Sequence, residues 1–141
     1  MPPEKDELDL MQLSQKRIFV VEDNIGNLTI AKTLLQAHGA IVATHRFGHD
    51  VLPHLKNFHP IDLIILDLML PSGMTGYDIF SLIRSQPEFD GIPIIAMSVM
   101  DRSKAVPEVK KRGFSGYISK PISFQEFPKQ IGDIIAGQNI W

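Results

Sequence analysis

Apolar residues gather in five short runs, and the segments between them turn amphipathic. Residues 17–21 (RIFVV), 40–45 (AIVATH), 61–66 (IDLIIL), 92–97 (IPIIAM) and 116–119 (GYIS) read as strands. The runs at 17–21, 61–66 and 92–97 are nearly continuous rather than alternating, as expected of strands covered on both faces. In 24–39, Leu28, Ala31, Leu34 and Leu35 recur at helical spacing, and Gly39 supplies a stop. Residues 48–58 predict a short helix interrupted or started near Pro53, and 76–86 an amphipathic one with Ile79, Leu82 and Ile83 on one face. Residues 102–113 predict a polar helix with Pro107 inside it, and 123–137 a closing helix. There Ser123 and Glu126 have capping-box spacing, and Ile122 can staple against Phe127. Pro128, past the first turn so defined, predicts a local distortion.

Strand and helix alternate five times, which implies a parallel sheet with helices on both faces. A chain of 141 residues suits one core, divided here into an N-terminal extension (1–16), one α/β domain (17–137) and a C-terminal tail (138–141). Trp141 falls at the extreme end of that tail, so little value as a fluorescence reporter is expected of it.

Composition narrows the class. Hydrophobic content of 44% and charged content of 21% are ordinary for a soluble globular protein. The net charge is −2 and Lys110-Lys111-Arg112 is the sole basic cluster, so no nucleic-acid partner is expected. The apolar runs fall far short of the ~20 residues that cross a bilayer. The acidic N-terminal segment is no secretory signal, and cysteine is absent, so a cytoplasmic location without membrane contact is expected.

In open α/β sheets chemistry collects at the carboxyl ends of the strands. The first run delivers Glu22 and Asp23, the third Asp67, the fourth Ser98 and the fifth Lys120; the second gives Thr44 and His45. Singly, such residues are ordinary caps, local hydrogen bonders or surface charge. Together they form a charge-balanced cluster. Carboxylates ~4 Å apart repel by ~4 kcal/mol per pair at an effective dielectric of about 20, which a dication relieves. An oxygen-only donor set favours Mg²⁺ over zinc. Asp67 is then a candidate nucleophile toward phosphorus, with Lys120 and Ser98 placed to contact phosphoryl oxygens. Among the histidines, His45 and His49 have metal-binding spacing only on one continuous helix, and Phe47-Gly48 reads as a turn. Solvated or capping roles are expected for His38, His45, His49, His54 and His59.

The motifs VVEDN (20–24), LDLMLP (66–71), AMS (96–98) and YISKPIS (117–123) resemble the receiver domain of two-component response regulators, from about Arg17 to Gly137. The resemblance implies a flavodoxin-like, doubly wound five-stranded sheet of order 2-1-3-4-5 with five helices. It implies Asp67 as phosphoacceptor, Asp23 and Asp67 as direct Mg²⁺ ligands, Glu22 acting through water, and the Met69 carbonyl completing the set. Ser98 would be the switch hydroxyl, Lys120 the phosphate contact and Tyr117 the aromatic switch. The implied partners are a histidine kinase or histidine phosphotransfer protein and a downstream protein bound by the helix 4–strand 5–helix 5 face. The chain would be a signalling phosphoacceptor rather than an enzyme, loading itself from small phosphodonors and dephosphorylating itself, as a monomer or weak dimer. A stand-alone single-domain regulator is expected, with the receiver of a hybrid histidine kinase as the alternative. A haloacid-dehalogenase-type phosphohydrolase would need D-x-D, and Met69 stands at that second position. Neither dinucleotide nor phosphate-loop glycine motifs occur, and the complete residue set argues against a phosphorylation-independent scaffold. One departure stands beside the site: Gly76 follows Pro71 by five residues, where the family has four.

Overall fold

The computed structural model describes residues 12–46, 48–70 and 73–141. Five parallel strands, β1 (Arg17–Val21), β2 (Ile41–His45), β3 (Leu63–Asp67), β4 (Ile94–Ser98) and β5 (Gly116–Ser119), form one sheet in the order β2-β1-β3-β4-β5. The parallel sheet is the one that the alternating pattern implied, and its order is the flavodoxin-like one that the resemblance implied. The helices are α1 (Ile25–Ala37), α2 (Val51–Phe58), α3 (Gly76–Arg84), α4 (Arg102–Arg112) and α5 (Phe127–Ile135), with a 3₁₀ turn at Pro87–Phe89.

The period-2 geometry of the strands divides the core. Phe19, Val21, Ile64, Leu66, Ile94, Ala96 and Tyr117 face α2, α3 and α4. Ile18, Val20, Leu63, Ile65, Ile95, Met97 and Ile118 face the other way, onto Ala31 and Leu35 of α1 and Phe127, Ile131 and Ile134 of α5. Every residue of β3 and β4 is buried, which is why these strands read as continuous apolar runs. Leu13, ahead of β1, is fully buried in the second cluster.

Local chemistry sets the element ends. The Asn24 side chain caps α1 by accepting from the Asn27 N–H at 2.9 Å, and Gly39 stops the helix with a φ of 92°. The reciprocal capping box belongs to α3, where Thr75 and Asp78 bond each other's backbone N–H groups. The helix expected at 123–137 is shorter, running over Phe127–Ile135. Ser123 Oγ accepts from Glu126 N–H and its carbonyl from Phe127 N–H, so 123–126 form a turn ahead of the helix. Pro128 therefore sits in the first helical turn, where its missing N–H costs nothing, and the expected distortion does not arise. Helix α4 does run through Pro107.

The last residues return to the sheet. The Tyr117 N–H donates to the Ile140 carbonyl at 2.8 Å, and Gly116 forms a parallel bridge with Ile140. A side chain at Gly116 would come within 2.9 Å of that carbonyl, so the glycine permits the approach. Trp141 packs against the α2–α4 side of the core, with the Lys110 ammonium 5.0 Å from its ring centroid. Pairing of Ile140 with the edge of β5 sets Trp141 against the core, so the little value as a reporter expected from its terminal position does not hold. No helix among the described residues is long and apolar enough to cross a membrane.

Candidate functional site

Glu22, Asp67 and Lys120 each follow or end a strand, and the topology brings all three to one point of the carboxyl edge. The Lys120 ammonium donates to both Glu22 oxygens, at 2.8 and 3.0 Å, and to Asp67 Oδ2 at 3.1 Å. The other Asp67 oxygen accepts from the Met69 N–H at 3.0 Å, which fixes the carboxylate's orientation. Lys120 is itself positioned by its backbone N–H, which donates to the Ser98 carbonyl at 2.8 Å. Asp23 stands beside Glu22, half-buried, and its carbonyl accepts from Arg46 Nε at 3.2 Å.

The electrostatics are lopsided. Glu22 is 0% exposed, and its pKa is pushed up to about 7, first by burial and then by Asp67, with Lys120 opposing. One ammonium serves two buried carboxylates. The donors are all oxygen, which fits a hard cation such as Mg²⁺ and not a thiolate- or imidazole-seeking metal.

Ser98 and Tyr117 are arranged differently. Ser98 is fully buried and its Oγ accepts from the Met100 N–H at 3.2 Å. The Tyr117 ring lies wholly inside, and its hydroxyl donates to the carbonyls of Met100 and Ser98. Tyr117 therefore stands behind Ser98, outside the carboxylate cluster. Met69 turns its side chain outward, 59% exposed.

Two residues contribute to the site in ways that the sequence did not reveal, one of them the glycine already noted for its spacing. A side chain at Gly76 would collide with the Asp67 carbonyl and lie 2.8 Å from Leu68 Cα, so the glycine lets α3 abut the end of β3. Its N–H donates to the Leu68 carbonyl at 3.1 Å, despite the longer loop leading to it; Pro71 itself lies outside the described residues. Met100 is the other, as donor to Ser98 and acceptor from Tyr117. A glycine as the first residue of an amphipathic helix was a usable signal for the first. Nothing in the sequence marked the second, because Met100 contributes only its main chain.

A sequence model of the response regulator receiver domain matches residues 18–132. The chain belongs to that family. Similar receivers include the polar-differentiation response regulator DivK of Brucella ovis, 31% identical over 116 residues, which cover 82% of this chain and 93% of the relative. The DivK of Brucella anthropi is 30% identical over the same shares. In fold, the chain is similar to the chemotaxis response regulator CheY4 of Vibrio cholerae, with a TM-score of 0.77 at 24% identity, covering 86% of this chain and 99% of that one. A putative response regulator from Chloroflexus aurantiacus gives a TM-score of 0.79 at 23% identity, over 87% and 99%. The chain is thus a receiver of the two-component type, a family that generally signals rather than catalyses and that typically binds Mg²⁺ in an acidic pocket.

Proposed function

We propose that this receiver accepts a phosphoryl group on Asp67 from the phosphohistidine of a histidine kinase or histidine phosphotransfer protein. The observation that carries the reading is the orientation of Asp67, held by the Met69 N–H on one oxygen and facing the Lys120 ammonium with the other. A carboxylate oxygen bonds to phosphorus as the phosphorus–nitrogen bond to the donor imidazole breaks, and the departing nitrogen keeps the electron pair. Asp23, Asp67 and the Met69 carbonyl would hold Mg²⁺, with Glu22 through water, and such an ion supplies charge compensation at the phosphoryl oxygens. Lys120 supplies the second positive charge there.

Phosphorylation adds nearly two negative charges and new acceptor oxygens. The Ser98 hydroxyl turns to donate to one of them and gives up its bond from the Met100 N–H. The loop that carries Met100 also holds the Tyr117 hydroxyl, so the aromatic switch and the start of α4 respond together. The output passes to a protein bound at the α4–β5–α5 face. Docking of the phosphodonor is supported by well-exposed apolar side chains beyond the carboxyl edge, Ile25 at the start of α1 and Met69, Val99 and Phe124 on the loops. A mainly apolar groove of about 290 Å³ beside Lys120, lined by Ile30, Ile122 and Phe124, lies on the same edge.

Incubation with acetyl phosphate and Mg²⁺, followed by intact mass, tests the reading. One phosphate is expected on the wild type and none on Asp67→Asn or after chelation of the metal. Labelling that survives Asp67→Asn would overturn it.

A further inference from the structure

Away from the acidic pocket, the carboxyl end of the edge strand β2 carries His45. Its register partner is Val21, and its ring faces the α2 side, 6.5 Å from the Phe19 ring centroid. The side chain is only 12% exposed, and its Nε2 is buried with no hydrogen-bond partner among the described residues. Asp50 begins α2 as its N-cap, yet its carboxylate makes no capping bond. It is turned toward two imidazoles instead. Oδ1 lies 3.4 Å from His45 Nε2, too poorly directed for a hydrogen bond, and Oδ2 lies 3.7 Å from His54 Nε2, one helical turn on. The three donor atoms all lie within 4.8 Å of one another, and the two imidazole centroids are 4.4 Å apart.

We propose that His45, Asp50 and His54 bind one zinc-class divalent ion. In a tetrahedral site with metal–ligand bonds of ~2.0–2.1 Å, neighbouring ligand atoms stand ~3.4 Å apart, within the 4.8 Å that encloses one donor atom from each of the three residues, and the two Asp50 oxygens face one imidazole each. Two imidazoles and a carboxylate suit zinc and its neighbours, whereas Mg²⁺ prefers oxygen. The ion answers two anomalies at once: the buried nitrogen without a partner and the N-cap carboxylate that does not cap. Asp50 and His54 are 67% and 50% exposed, so a fourth position opens to solvent. Three ligands from β2 and the first turn of α2 tie the outer edge of the sheet to its helix, on the opposite flank from β5.

The spacing escaped the sequence because it crosses a strand, a turn and a helix, where no single period holds. His45 does not pair with His49, as one continuous helix would have required; it sits mostly buried on β2, so the solvated or capping role expected of it does not hold. Capping does describe His38 and His59, which close α1 and α2.

The test is Zn²⁺ titration by calorimetry, with excess Mg²⁺ present, and Co²⁺ absorption as a report of tetrahedral geometry. Wild type and Asp67→Asn should each bind one equivalent of Zn²⁺. His54→Gln and Asp50→Asn, both at exposed positions, should weaken binding by about tenfold or more while phosphorylation from acetyl phosphate persists. No binding by the wild type would overturn the proposal. So would affinity unchanged in both variants, or binding abolished by Asp67→Asn or by Mg²⁺, which would put the ion in the acidic pocket.

Discussion

Glu22 has no exposed surface and shares one ammonium with Asp67. Its carboxyl is held up to about 7 against an ordinary 4.5, so between those values the folded chain binds more protons than the unfolded one. The sign follows: the contribution to stability is fully present below about 4.5 and is lost as pH rises through about 7. In metal-free solution the wild type should therefore lose up to about 3 kcal/mol relative to Glu22→Gln between mildly acidic and mildly alkaline pH. Urea unfolding of both proteins at the two pH values measures it, and parallel curves would contradict it. The acids and lysine of this cluster were legible because each interrupts or ends an apolar run, where a polar residue demands a reason. Tyr117 entered through the resemblance alone, and its hydroxyl partners were not legible, since they are main-chain carbonyls whose positions depend on the path of the loop after β4.

At the level of elements, hydrophobic periodicity gave the order and type of strands and helices, because burial on one face or two leaves a pattern in the residues themselves. It gave helix starts less well. The capping-box spacing at Ser123 and Glu126 suggested a start that the chain makes at Phe127, because a serine can close a turn through the same bonds. The true box at Thr75 and Asp78 places α3 against the end of β3, and Gly76 is what lets it come that close. Gly76→Ala must push Asp67 and Leu68 away from α3. It is expected to destabilise the fold by ~1–3 kcal/mol and to slow loading of Asp67 by acetyl phosphate. Thermal unfolding and the rate of mass gain report the two effects separately. An alanine variant that loads at the wild-type rate would mean that α3 yields and the acceptor stays in place.

Across the whole molecule, the carboxyl edge that bears Asp67 and the chain's last residues are joined through β5. Asp67 meets Lys120, whose backbone binds the Ser98 carbonyl; Ser98 and Met100 hold the Tyr117 hydroxyl; and the Tyr117 N–H binds Ile140, next to Trp141. The sequence could not show this connection, because parallel pairing of a terminal segment leaves no periodic trace over so few residues. Trp141 is the only tryptophan, half-buried between α4 and the core with a lysine ammonium over its ring, so its emission senses the α4–β5 face directly. If phosphorylation moves Ser98, Met100 and Tyr117 as a unit, the Ile140 bridge and the Trp141 environment shift with them. Acetyl phosphate with Mg²⁺ should then change the intensity or wavelength of Trp141 emission in the wild type, in step with mass gain, and leave Asp67→Asn unchanged. Tyr117→Phe, which removes the hydroxyl but keeps the ring and the Ile140 bond, should still accept phosphate while showing a smaller optical change. Full phosphorylation by mass with constant Trp141 emission would mean that the terminal segment lies on β5 without sensing the acceptor, and the switch would have to leave the molecule by another face.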